Sequence, residues 1–324
     1  MKKNANENTT ETTDREVLRD RARGCLLGQF IGDSLGSLVE FQSPGRIASA
    51  YPNGVRDMAD GGTWNLIAGQ PTDDSQMAMM LIRSLEEMGR FNRHHVLANY
   101  LHWYDTDPFD IGMTCSAALG DDLPNRASQS NGALMRVSPL GVFGARSTVG
   151  PTVAADYARA DAELTHPNPV CVDASAVLVA GIATAIRGGS RRDVLTAMLD
   201  TATTGEVAGA LGHGLTGTAD RYGEHMGWVL LALSLSVQAL ASGETPEDAL
   251  VAVVGFGGDT DTNAAIAGAL LGAFHGASAW PSRWVDTVLE CKPEEGKPGV
   301  QNPLGREFWA TDLLAQADRL AGLG

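Results

Sequence analysis

Apolar and polar residues in this chain recur mostly at three- and four-residue spacing, the period of helices with one buried face. From Asp14 onward, DREVLRDRARGCLLGQFIGDSLG places Val17, Ala22, Leu26, Leu27, Phe30 and Ile31 on one side of a helix. The segments TDDSQMAMMLIRSLEEMG, HHVLANYLHWY, DASAVLVAGIATAIRGG, RRDVLTAMLDTATTG and EHMGWVLLALSLSVQALASG each have helical length. TPEDALVAVVGF opens with a capping Thr245, Pro246 in the first turn and two acids suited to a helix N-terminus. PSRWVDTVLE and REFWATDLLAQADRLAGL close the chain. No set of alternating strand segments, no internal repeat and no linker stands out. The expectation is an all-α, compact single domain of many helices over residues 14–324. Residues 1–13 are polar and lack periodicity, so they are expected to form a flexible arm.

Composition narrows the class. The 324 residues are 44% hydrophobic, with 39 acidic against 24 basic residues and a formal charge of −15. Nucleic acid and anionic membranes both call for a basic surface, so neither is an expected partner. The cysteines, Cys25, Cys115, Cys171 and Cys291, form no C-x-x-C pair and read as ordinary thiols. The N-terminus has no signal-peptide core, and apolar runs are interrupted before membrane-spanning length. The expected location is cytoplasmic.

Against that background GGDTDTN, Gly257 to Asn263, is unusual. Two carboxylates and two threonines precede AAIAGALLGAFHG, a helix apolar enough to be buried. One Asp would serve as an N-cap; two buried acids need pairing, hydrogen bonds or metal. PTDDSQMAMM repeats the device with Thr72, Asp73 and Asp74. Together the two motifs offer four carboxylates and two or more hydroxyls, an all-oxygen set large enough for two hard divalent cations such as Mg²⁺, Mn²⁺ or Ca²⁺. GQFIGDSLGSLVE contributes Gly28, Gly32 and Gly36 at four-residue spacing, the spacing of close backbone packing, with Asp33 and Glu40. Asp33, inside an apolar helix, needs a buried partner. In QSNGALMRVSPLG a polar loop precedes an apolar segment, and its backbone N–H groups either form an ordinary turn or cradle a phosphate. ELTHPNP adds His166 beside Thr165.

These motifs, in this order, resemble the ADP-ribosylglycohydrolase family: GxxxGDxxG, TDD before a helix, NGAxMR, and GGDTDT followed by AAIAGALLG. The resemblance runs from about Arg21 to the C-terminal helix. It implies an all-α fold around a binuclear Mg²⁺ or Mn²⁺ cleft. Thr72, Asp73 and Asp74 would face Asp259, Asp261 and Thr262 across two metals. Glu40 matches an acidic residue near the metals, and Glu40, Asp110 and Asp74 are the implied catalytic carboxylates. Ser128, Gln129, Ser130, Asn131 and Gly132 match the loop that receives the pyrophosphate, and His166 lines the cleft. DPFDIGMT resembles the P-x-D-x-G-x-T pattern of members acting on ADP-ribosyl-arginine, with Asp110 a candidate base. Between Asp110 and Glu40 as the proton-transferring group the sequence does not choose.

The implied activity is removal of ADP-ribose from a modified protein side chain, arginine before serine. Two alternatives stand beside it. One is a hydrolase of small ADP-ribosyl compounds. The other is an immunity protein that blocks a cognate ADP-ribosyltransferase toxin through its N-terminal arm.

Overall fold

The computed structural model describes residues 2–121, 123–219 and 225–323, with backbone alone for 2–13. The expected all-helical architecture is what the chain adopts. Fifteen α-helices are present among the described residues. They are α1 Lys2–Gly36, α2 Pro44–Ala50, α3 Asp73–Met88, α4 Arg93–Tyr104, α5 Met113–Gly120, α6 Ser138–Gly144, α7 Gly150–Ala162 and α8 Pro169–Ile186. There follow α9 Arg191–Thr201, α10 Gly205–Leu215, α11 Val229–Ser242, α12 Pro246–Gly255, α13 Thr260–His275, α14 Ser282–Glu290 and α15 Leu313–Leu320. Short 3₁₀ turns punctuate the connections. In place of strands, the described residues contain only the isolated bridges Gly61–Leu66 and Ser130–Trp228.

The backbone helix of α1 reaches back to Lys2, ahead of the Asp14 start that the apolar pattern marks. The side chains of the expected arm lie outside the described residues. The segment REFWATDLLAQADRLAGL divides into two 3₁₀ turns and a short helix beginning at Leu313.

One pair of helices organises the rest. Gly24, Gly28, Gly32 and Gly36 of α1 meet Gly272, Gly268, Ala264 and Thr260 of α13 in antiparallel order. A Cβ at Gly28 would overlap the Gly268 carbonyl and the Trp280 ring, and one at Gly32 would overlap the Ala264 carbonyl. The four-residue glycine spacing is therefore a packing device, here bringing two backbones into contact. It also carries chemistry, because Gly36 meets Thr260 and Asp261 at the N-terminus of α13 while Asp33 of the same helix reaches Thr72 and Ser75 at the start of α3. α8, fully apolar over most of its length, packs on the other side of α13 together with α11. By length and composition α8 alone among the described helices is apolar enough to cross a bilayer, and most of it is buried in this core.

The glycine ridge leads to a stability prediction. Gly28→Ala should cost about 1–3 kcal/mol, the usual range for overpacking a tight contact. Gly45→Ala, on α2 where nothing lies within 4 Å of the added methyl, should be neutral or slightly stabilising. Urea unfolding of the two variants measures the difference; equal midpoints would refute the account of the ridge.

Candidate active site

Helix α3 begins at Thr72, whose side chain makes no capping hydrogen bond. The cap comes from α1. Asp33 accepts the backbone N–H of Thr72 at 3.1 and 3.2 Å and that of Ser75 at 3.1 Å, and its Oδ1 lies 2.9 Å from the Thr72 hydroxyl. This is the buried partner that Asp33 requires. Burial alone would lift its carboxyl further, but these bonds hold it at about 6. With Asp33 capping, Asp73 and Asp74 are released from that duty. The same holds at α13, where Asp259 is the N-terminal boundary residue yet makes no capping bond. Asp259 instead accepts from the Asn131 amide at 2.8 Å. The bland N-cap reading thus fails at both helices.

A cavity of about 410 Å³ opens over these two helix ends. Glu40, Asp73, Asp110, Asp259 and Asp261 all line it, and among the described residues no Lys or Arg does. One oxygen each from Glu40, Asp110 and Asp261 can be drawn within 4.8 Å of the others. Asp74 lies beneath, fully buried; its Oδ2 is 3.1 Å from the Thr72 hydroxyl and 3.4 Å from that of Thr262. Its Oδ1 is buried and has no hydrogen-bond partner among the described residues. Burial raises every one of these carboxyls; repulsion from neighbouring carboxylates adds to it at all but Asp259, where hydrogen bonds from Asn131 and Thr262 oppose it. Burial, Asp110 and Asp259 push Glu40 to about 8. Burial, Asp259 and Asp33 push Asp110 to about 7. Asp73, Asp74 and Asp261 are raised well above the ordinary range, burial again first and neighbouring carboxylates next.

Six carboxyls in one place, with no Lys or Arg among the described lining residues, are costly unless a metal balances them. The donor set is oxygen only, which suits a hard divalent ion. The orphaned Asp74 Oδ1 is the sort of atom such an ion would satisfy. The residues therefore fit a metal centre. Thr262 joins the lining, whereas Thr72 stays behind it, orienting Asp74.

Two glycines let Glu40 meet this group. Gly257 and Gly258 adopt φ of 76° and 77°, and Gly258 exchanges backbone hydrogen bonds with Phe41 and Gln42 at 2.7 and 2.9 Å. The loop after α1 is thereby fastened to the loop before α13. Phe41 itself sits at φ 62°, turning the chain immediately after Glu40.

The opposite wall is polar but uncharged. Ser130, Asn131, Gly132 and His166 line the cavity; Ser128 and Gln129, from the same loop, do not. Gln129 instead accepts from the Trp228 indole at 2.9 Å. The loop's backbone is less open than expected for a phosphate cradle. The Asn131 N–H bonds the Gly227 carbonyl at 3.1 Å, and that of Ser130 bonds the Ser128 hydroxyl at 3.3 Å. Donors to a ligand would come from side chains as well: the hydroxyls of Thr114, Ser128 and Ser130 lie 2.8–3.1 Å apart. His166 links to them, its Nε2 2.9 Å from Ser130 Oγ and its Nδ1 2.8 Å from Thr165 Oγ1. Burial and nearby Arg136 depress His166 to about 3, so the ring is neutral.

Thr114 and Met135, the Thr of P-x-D-x-G-x-T and the Met of NGAxMR, also line the cavity, as do Phe41, Trp64 and Met226, which no motif marks. Trp64 had a local signal, since it follows the GGT of a turn. What it faces depends on the tertiary fold.

A sequence family described as ADP-ribosylglycohydrolase matches residues 14–323. The chain is similar to the ADP-ribosyl-(dinitrogen reductase) glycohydrolase of Rhodospirillum rubrum, at 29% identity over 86% of this chain and 92% of that protein. It is also similar to an ADP-ribosylarginine hydrolase of Pseudomonas putida, at 27% identity over 86% of this chain and 76% of that one. Among solved structures, an ADP-ribosylglycohydrolase-related protein complex superposes with a TM-score of 0.75 at 26% identity, covering 95% and 99% of the two chains.

Proposed function

The chain belongs to the ADP-ribosylglycohydrolase family, and from that premise we propose that it is a metal-dependent hydrolase releasing ADP-ribose from modified arginine side chains of proteins. The observation that carries this reading is the cavity of five carboxylates with no Lys or Arg among the described lining residues, over an Asp74 Oδ1 that has no hydrogen-bond partner among the described residues. Asp73, Asp74, Asp259, Asp261 and Thr262 would hold two Mg²⁺ or Mn²⁺ ions. Bound there, the ions would supply positive charge to orient ribose hydroxyls and a water.

The chain's own residues do the rest. Glu40 and Asp110, raised to about 8 and about 7, can each hold or release a proton near neutrality. Between them they can protonate a departing nitrogen and accept a proton from water. Ionised carboxylates nearby favour the oxocarbenium character that develops at the anomeric carbon. The hydroxyls of Thr114 and Ser130 and the Asn131 amide would bind the polar part of the ADP-ribose, with His166 holding Ser130 in place.

Arginine is favoured over serine for a physical reason as well as for the DPFDIGMT segment. An ADP-ribosylated guanidinium is cationic, and this cavity is acidic. The ADP-ribosylarginine hydrolase of P. putida is consistent with that choice. ADP-ribosyl-arginine should be cleaved at least as fast as ADP-ribosyl-serine, and Asp110→Ala should lower arginine release by about 10²-fold or more. ADP-ribose release measured on both substrates, with Mg²⁺ and with chelator, decides the matter. Fast serine release by a protein inert on arginine would reverse the linkage. Cleavage of free ADP-ribosyl-arginine but not of a modified protein would assign it to small compounds.

A further inference from the structure

Glu40 is held from two directions by consecutive residues of a single turn. The Thr63 hydroxyl donates to the Glu40 carbonyl at 2.9 Å, and the Trp64 indole N–H donates to Glu40 Oε2 at 2.8 Å. Residues 61–66 form that turn, closed by two Gly61–Leu66 backbone bonds of 2.8 Å. Gly62, at φ 73°, packs so tightly on the Ser37 carbonyl that a side chain there would collide with it. The far side is braced too. Asn302 donates to the Trp64 carbonyl at 2.7 Å and is itself held by the Gln70 amide at 2.6 Å. The Trp64 ring lies 5.9 Å from that of Phe109, the residue before Asp110.

We propose that the 61–66 turn is a positioning clamp for Glu40, and that the Trp64 indole selects which Glu40 oxygen is presented to the substrate. The inference rests on the reading of Glu40 as a proton-transferring group. Without an anchor a glutamate carboxylate rotates freely about its last bond, and two equivalent oxygens would compete for one proton. An indole N–H only donates, so it always takes an acceptor oxygen. With Oε2 taken, Oε1 is the atom left for the reaction. Through Phe109 the same ring also sets the distance between Glu40 and the loop carrying Asp110. Trp64 is thus a positioning residue acting through Glu40.

Trp64→Phe keeps the ring and removes the N–H. Loss of a hydrogen bond to a carboxylate should lower kcat about tenfold to a hundredfold, with KM and Mn²⁺ affinity changed less than threefold. Trp64→His, which restores a ring N–H, should recover part of kcat. The decisive comparison is the double variant. If the indole works through Glu40, Trp64→Phe combined with Glu40→Gln should be no slower than Glu40→Gln alone. Multiplying losses, an unchanged kcat in Trp64→Phe, or a parallel loss of Mn²⁺ affinity would each overturn the clamp while leaving the role of Glu40 intact. Wild-type turnover in Glu40→Gln would instead remove that role, and the clamp with it.

Discussion

Asp261→Ala is expected to abolish measurable ADP-ribose release, a loss of at least about a thousandfold, while leaving the helical fold in place. A loss of that size corresponds to roughly 4 kcal/mol of transition-state stabilisation. Asp261 is almost wholly buried in the first turn of α13, and it does not cap that helix. Among the described residues its side chain accepts one backbone N–H, that of the adjacent Thr262 at 2.9 Å, and Asp259, not Asp261, bounds the helix. Burial, then repulsion from Glu40 and Asp259, raises its carboxyl well above the ordinary range. Removing a charge so placed relieves the metal-free protein. The variant should therefore melt no lower than the wild type in chelator at pH 8, yet fail to bind Mn²⁺ with full stoichiometry in calorimetry. Asp259→Ala should behave alike in activity, with some added disorder of Asn131, its hydrogen-bond partner at 2.8 Å. Wild-type turnover with full metal occupancy in either variant would remove the carboxylates from the metal site.

Much of this architecture was legible in the sequence, and the parts that were not share a cause. The helices with strong apolar periodicity and good formers, α3, α8 and α13, stand within a few residues of where the pattern puts them, α8 opening at Pro169 ahead of the expected start at Asp173. α10, Gly205–Leu215, carries four glycines and offers little helical signal. It forms because Asp173 of α8 accepts the N–H and hydroxyl groups of both Thr203 and Thr204 at 2.8–3.0 Å, fixing its start. α5, α6 and α7 are short or Ala- and Gly-rich, and tertiary packing decides them. The same holds at the site. The T-D-D and D-T-D-T motifs announce their carboxylates because acids before an apolar helix are chemically conspicuous. That Asp33 caps α3, freeing those acids, depends on α1 crossing the start of α3, which no local pattern encodes. Trp64 is the clearest omission: its role exists only once Glu40 lies 2.8 Å from its indole.

Without metal, the protein is expected to lose thermal stability as pH rises from 6.5 to 8, and Mg²⁺ should cancel that loss. The sign follows from the groups concerned. Asp33 at about 6, Asp110 at about 7 and Glu40 at about 8 are all raised from ordinary values of 3.8, 3.8 and 4.5. Between its unfolded and folded values, each binds more proton in the folded state, so stability falls with rising pH. That contribution is fully present below about pH 4 and gone once pH passes about 8. His166 works in the other direction. Its folded value of about 3 lies below the unfolded 6.5, so it favours the fold above 6.5 and withdraws that support as pH drops from 6.5 toward 3. Above 6.5 His166 adds only a small opposing slope that fades by about pH 7.5, which leaves the raised carboxyls to set the trend. Divalent cations bind the ionised form, so their stabilisation should grow over the same interval. Melting curves at pH 6.5, 7.2 and 8.0, in chelator and in Mg²⁺, test this with a single preparation. A metal-free Tm that stays flat or rises, and a Mg²⁺ shift independent of pH, would mean the cavity carboxylates are already balanced by something other than metal or protons. Asp74→Asn provides the internal check: neutralising the carboxyl whose Oδ1 lacks a partner should flatten the metal-free slope and shrink the Mg²⁺ shift together.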